Sequence, residues 1–168
     1  MLPNSRWMNK KEKREKRMDA FPNEPMGFRG ILWGQRLESL TGRNFTKISD
    51  DGDVSAYRLN NDRLRMGHVE VDDIIYYFFR HRLYRVRVQI ESHENFARLK
   101  EIFFESYGEG VSVSRDETET YYWAGAELDL SLEYSDASRG RIEYSFRPIH
   151  KQEEKKAKLK VIREWDET

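Results

Sequence analysis

The sequence predicts an α+β fold in which antiparallel sheet is packed by a central amphipathic helix. Residues 71–91, VDDIIYYFFRHRLYRVRVQIE, read as a β-hairpin whose first strand is apolar on both faces and whose second is apolar on one. A capped amphipathic helix follows at once. The connections between successive strands are too short for parallel crossovers, so the strands pair antiparallel.

Taken in order, Phe28-Arg29-Gly30-Ile31-Leu32-Trp33-Gly34 reads as a short first strand ending at a glycine turn. Residues 35–40 hold at most a short helix closed by Gly42. A strand over 44–49, a turn at Asp50-Asp51-Gly52-Asp53, a strand over 54–59 and a turn at Asn60-Asn61-Asp62 come next. The long hairpin pairs 73–80 with 83–91 across His81-Arg82, a connection without the Gly or Asn that a type I′ turn prefers. In its first strand Ile74, Tyr76 and Phe78 face one side and Ile75, Tyr77 and Phe79 the other. In its second strand Tyr84, Val86, Val88 and Ile90 alternate with Arg85, Arg87 and Gln89.

Ser92 is placed to cap a helix over 93–107, with Phe96, Leu99, Ile102 and Phe103 as its apolar stripe and Gly108 in the C′ position. Strands are expected over 111–114, 120–124, 127–134 and 141–147, with 135–140 as a hairpin loop and Pro148 closing the sheet. The tail from His150 reads as helix, with Glu154 and Lys158 four apart and Val161 and Trp165 on one side. A strand through Ala157, Leu159 and Val161 is the alternative. Residues 34–91 and 92–148 share an order of helix, strands and closing hairpin, which leaves open a tandem α-β-β-β pseudo-repeat.

Charge divides the chain. Residues 1–26 carry a net +3, residues 27–149 hold two Lys and fifteen Arg against twenty-one acids for a net −4, and residues 150–168 carry +1. An Arg-using core flanked by Lys-rich ends reads as one folded domain, 27–149, between a charged N-terminal tail, 1–26, and a Lys-rich C-terminal helix, 150–168. With zero formal net charge, the whole chain has no global pull toward nucleic acid or lipid. The run Lys10, Lys11, Lys13, Arg14, Lys16 and Arg17 has two readings: an anchor for an anionic partner, or a tail kept soluble by charge. Pro22 and Pro25 act as a semi-rigid spacer after it. No apolar run is long enough for a membrane helix, and Met18-Asp19-Ala20-Phe21-Pro22 stands where a signal peptide needs its apolar segment. The expected location is cytoplasmic, or exported if the N-terminus is misassigned.

No catalytic residue, metal site or cofactor is expected. Without Cys, thiolate zinc sites, iron–sulfur clusters and Cys nucleophiles are ruled out. His68, His81, His93 and His150 lack ligand partners at metal spacing, and Asp50-Asp51-Gly52-Asp53 lacks the closing Glu of a calcium loop. Asp72 and Asp73, adjacent on a strand, point to opposite faces and cannot share a proton. Gly27, Gly30 and Gly34 do not match a phosphate-cradling loop.

The outward sheet faces offer a candidate binding surface: Tyr77, Phe79, Arg85, Arg87, Tyr121, Glu127, Asp129, Glu133 and Arg141, with Glu143 beside them. It reads either as cross-strand ion pairs over ordinary core aromatics or as a polar face that docks a protein partner.

The segments Gly27-Phe28-Arg29-Gly30-Ile31-Leu32-Trp33-Gly34, Ile75-Tyr76-Tyr77-Phe78, Asn95-Phe96-Ala97-Arg98-Leu99-Lys100 and Tyr121-Tyr122-Trp123 resemble a group of uncharacterised bacterial proteins. That group shares an F-R-G-I-x-W-G opening, an aromatic hairpin and an N-F-x-x-L-K helix. The resemblance implies a bacterial origin and carries over no catalytic residue. The α-β-β-β duplication is more faintly similar to β-lactamase-inhibitor and outer-membrane-assembly lipoprotein modules, which bind proteins through a sheet face. A non-enzymatic module that binds a protein, or a second copy of itself, is therefore expected. The alternative is a binder of nucleic acid or a small molecule through the aromatic/Arg face and the basic N-terminal run.

Overall fold

The computed structural model describes residues 21–166, so the basic run over 10–17 lies outside the described residues. The fold is α+β. It has twelve strands, β1 Gly27–Phe28, β2 Ile31–Leu32, β3 Phe45–Asp50, β4 Val54–Leu59, β5 Arg65–Met66, β6 Val69–Glu70, β7 Asp73–Phe79, β8 Arg82–Ile90, β9 Val111–Ser112, β10 Glu119–Ala124, β11 Leu128–Ser135 and β12 Arg139–Phe146. Two α-helices, α1 His93–Tyr107 and α2 Arg147–Asp166, complete it with a 3-10 turn at Leu37–Ser39. Eight strands form one antiparallel sheet in the order β3-β4-β7-β8-β12-β11-β10-β9.

That order is a palindrome in construction. Each half is a meander running inward from an edge, and β8 meets β12 at the centre with Gly140 opposite Ile90 and Ser145 opposite Arg85. The halves differ in their helical part. The second begins with the fifteen residues of α1, whereas the first has only the three-residue 3-10 turn.

One face of the sheet is the core. Alternation puts Ile74, Tyr76, Val86, Val88, Leu130, Leu132, Ile142 and Tyr144 on it, all buried. Onto them α1 lays Phe96, Leu99 and Phe103, each stabilising by about 1.5–3 kcal/mol through removal of its side chain from water. Ser92 Oγ accepts the Asn95 N–H at 3.2 Å, and the Gly108 N–H closes the last turn on Phe104 O at 3.0 Å. The N-terminal segment covers what α1 leaves bare. Phe28 packs 5.8 Å from the Tyr76 ring and 5.2 Å from Tyr144, while Phe21 meets Tyr107 at 5.5 Å.

Several elements depart from expectation. The opening is a two-strand ribbon, β1 and β2, because Arg29 and Gly30 both turn left-handed, at φ +51° and +80°. The long hairpin turns one residue early, at Arg80-His81, with φ +47° and +69°. It thus makes the double left-handed turn that suits strand twist, without the residues that usually favour it. A small ribbon, β5 and β6, occupies a segment that carries no strand pattern. Pro148 does not close the sheet; it is the second residue of α2, where its missing N–H costs nothing. Residues 157–161 are helical, not strand.

A bulge in the long hairpin places the far face. Tyr77 pairs with Arg85 but Phe78 with Leu83, so Tyr84 is an extra residue. Leu83 enters the main core, while Tyr84 and Arg85 both emerge on the other side. There the first turn of α2 sets Ile149 on Phe79 and Tyr84. Lys156 Nζ then ties the helix to Asp53 Oδ1 at 2.6 Å, beside the β3–β4 turn. Edge strand β3 is interrupted by a bulge between Lys47 and Ser49, and edge strand β9 has two residues. Among the described residues no helix is long and apolar enough to cross a membrane.

Candidate functional site: the open face of the sheet

Opposite α1, no described helix lies over the middle of the sheet; α2 flanks only the end where the long hairpin turns. The floor is built by side chains that alternate with the core residues. Strand register arranges them in rows: Tyr77–Arg85–Ser145–Asp129, Ile75–Arg87–Glu143–Ser131 and Asp73–Gln89–Arg141–Glu133.

Glu143 is the electrostatic centre. Arg85 Nε lies 3.3 Å from its Oε1, Arg87 Nη2 lies 3.5 Å and Arg141 Nε 3.8 Å from its Oε2. Arg141 also reaches Glu133 at 3.6 Å. These are charge contacts, too long or oblique to count as hydrogen bonds. Arg85 Nε, Arg87 Nε and Ser145 Oγ are consequently shut off from solvent without a hydrogen-bond partner. The guanidinium groups are steadied by aromatic rings instead. Arg85 and Arg87 sit 5.8 and 5.5 Å from the Tyr77 ring centre, and Arg85 lies 5.3 Å from that of Tyr84.

The rims are bonded more tightly. On one side Arg58 holds Asp73 through two hydrogen bonds, 3.0 and 2.8 Å, which keeps that carboxyl below its ordinary value. On the other Arg147 Nη2 donates to Asp129 Oδ1 at 2.6 Å. At the α2 end Arg85 Nη2 meets His150 Nδ1 at 3.0 Å, and His150 Nε2 lies 3.0 Å from Glu154 Oε1. The Tyr84 phenol beneath is pushed up to about 12 by burial.

Six of the residues expected on this surface, Tyr77, Arg85, Arg87, Asp129, Glu133 and Arg141, share the face. Three do not. Phe79 is 3% exposed, sealed under Ile149. Tyr121 pairs with Leu132 and so points to the α1 side, 5.2 Å from Phe104 and 4.9 Å from Lys100. The aromatic that β10 turns toward the open side is its neighbour Tyr122, 46% exposed. Glu127 lies just before β11, in the turn at the rim. Sequence reasoning missed Ser145 and His150, whose place follows from the β8–β12 register and from the early start of α2.

A second anion site, already filled, also escaped it. Glu24 Oε1 accepts the Glu127 and Leu128 N–H groups at 3.0 and 2.9 Å, and Oε2 accepts the Ala126 N–H at 3.0 Å. Arg147 donates to the Ala126 and Gly125 carbonyls of the same turn at 3.1 and 3.0 Å. Beside it, Met26, Leu32, Trp33 and Phe146 line a shallow hollow of about 270 Å³, bordered also by Glu127 and by Glu24, whose carboxylate is spent on these amides.

Among the described residues no three His, Asp or Glu side chains are grouped to hold a metal ion. Comparison with family models, with curated proteins and with solved structures finds no match.

Proposed function

We propose that this chain is a protein-binding module that docks its partner on the open sheet face and performs no chemistry of its own. The observation that carries this is the ordered Arg/Tyr floor around Glu143, built across four strands and free of any described covering element. Six strands from β4 to β10, spaced about 4.8 Å, span about 24 Å, and roughly six residues along each give about 20 Å. That plan area, about 480 Å², is smaller than the roughly 800 Å² a partner contributes to a standard interface and suits a small, transient one. A binder of nucleic acid or of a planar small molecule has less support from this face. Tyr77 already lies against two guanidinium groups, and the exposed ring on this side, Tyr122, stands alone near the β9 edge without a second ring to continue a stack of bases.

The test compares immobilised wild-type chain with a Tyr77→Ala/Arg87→Glu variant of matched thermal stability, in extract of the source organism. A protein retained by the first, lost from the second and rebinding after purification supports the proposal. Identical retention by both refutes it.

A further inference from the structure

We infer that the groove between α2 and the turn of the long hairpin holds the phosphate backbone of a single nucleic-acid strand, a second partner bound apart from the open sheet face. The groove, of about 660 Å³, has Phe79 and Asp53 at its base. One wall is Arg80, in the β7–β8 turn; the other is α2, through Lys155, Lys156, Lys160 and Arg163. Five cations thus face one carboxylate.

Helical spacing makes the row. Lys156, Lys160 and Arg163 follow one another at four and three residues, so they share the inner side of α2, about 6 and 4.5 Å apart along its axis. Asp53 is already committed, to Lys156 Nζ at 2.6 Å and Arg80 Nε at 3.4 Å. Those contacts anchor the helix over the groove and leave Lys155, Lys160 and Arg163 without an ion pair among the described residues. All three are exposed, so their donors are open to a ligand. The acids Asp51, Glu153 and Glu164 line the opposite flank of α2. With them counted, and Arg82 beyond Arg80 as well, six cations still stand against four acids. Asp51 in addition spends its Oδ1 on the Asp53 and Val54 N–H groups, at 3.0 and 2.7 Å.

The chemistry and the shape select the occupant. Lys presents a compact, rotatable point charge that can follow a chain of phosphates, and it lacks the planar fork by which Arg grips a single carboxylate. A concave groove admits a strand, whereas a flat lipid surface meets only its rims. The ring at the base, Phe79, is 3% exposed and offers no face to a base. The contact therefore reads charge and not sequence.

The probe is a fluorescent oligothymidylate of about twelve nucleotides, titrated by anisotropy against the full chain over a range of salt. Each phosphate neutralised contributes about −0.7 to the slope of log K against log salt, so the three uncommitted cations should contribute about −2. Lys160→Gln/Arg163→Gln is expected to weaken binding about tenfold at low salt and to flatten the slope by about 1.4. Lys151→Gln/Lys158→Gln removes equal charge from residues of α2 that do not line the groove, and is expected to change binding less than about twofold. All four positions are exposed, so the variants should keep the wild-type Tm. Failure to bind, or an equal effect of the two pairs, would overturn the assignment. So would binding that survives loss of the groove pair and disappears on neutralising Lys10, Lys11, Lys13 and Arg14. A preference for oligoglutamate, or for phosphatidylserine vesicles, over the oligonucleotide would overturn it too. Partner capture through Tyr77 and Arg87 is a separate matter, because neither residue lines this groove.

Discussion

Glu24 bonds across 102 to 104 positions of sequence to the β10–β11 turn, and that connection should be worth measuring in kcal/mol. Removing its side chain strips three backbone N–H groups of a charged acceptor at 2.9–3.0 Å. Hydrogen bonds to charged groups contribute about 1.5–3 kcal/mol each when isolated, but these share one carboxylate and two are exposed to water. For Glu24→Ala the expected loss is therefore about 2–4 kcal/mol, or roughly 5–12 °C in Tm for a chain of this size. Glu24→Gln, which keeps one oxygen but turns an amide N–H₂ toward Ala126 N–H, should lose about half of that. Gly125 supplies the internal check, because a Cβ there would run into the Glu24 carboxylate. Gly125→Ala should be costly in the wild-type chain and nearly neutral beside Glu24→Ala, a coupling of at least about 1 kcal/mol. Urea and thermal unfolding of the four proteins measure the cycle. Additivity within about 0.5 kcal/mol, or a Tm for Glu24→Ala within about 2 °C of wild type, would refute the reasoning.

Three other outcomes follow from the core. Ser92→Ala removes the cap from the Asn95 N–H and should lower stability by about 1 kcal/mol, read from the urea midpoint at constant m-value. Tyr76→Phe deletes the phenol that donates to Asp62 Oδ2 at 2.9 Å while the Arg29 bond remains; about 1–2 kcal/mol should be lost. At alkaline pH the sign is fixed by buried phenols: burial raises Tyr84 from 10.0 to about 12, and Tyr76 and Tyr144 rise as well. Unfolded phenols ionise first, so stability should hold below pH 10 and fall as pH climbs from 10 through about 12. Phenolate absorbance should show some tyrosines ionising only on unfolding; one uniform step near pH 10 with the fold intact would contradict this.

Period-two alternation in residues 85–90 and 128–134 made the central strands legible, because each has one face in the core and one in water; it failed at Tyr84, expected beside Val86 and carried to the other side by the bulge. The cap at Ser92 and the glycine at 108 did the same for α1. Where the signal failed, the cause was a backbone conformation without its usual residue. Arg80 and His81 adopt left-handed angles that the pattern assigns to Gly or Asn, which displaced the turn by one position. The face assignments failed on aromatics. Tyr121 and Tyr122 differ little in chemistry, and only the β10–β11 register decides which meets Phe104. Phe79 alternates onto the open side as expected, but the early start of α2 covers it. Glu24 left no local trace, since its partners are backbone amides far along the chain.

Among the described residues the sheet ends at two edge strands, and each is blunted. Strand β9 is too short to template a neighbour. Strand β3 is long enough, but its bulge around Ile48 bends the hydrogen-bonding row, and Lys47 with Asp50 plants charge along it. Deleting Ile48 would straighten that row and leave Lys47 and Asp50 as its remaining guard against edge-to-edge pairing.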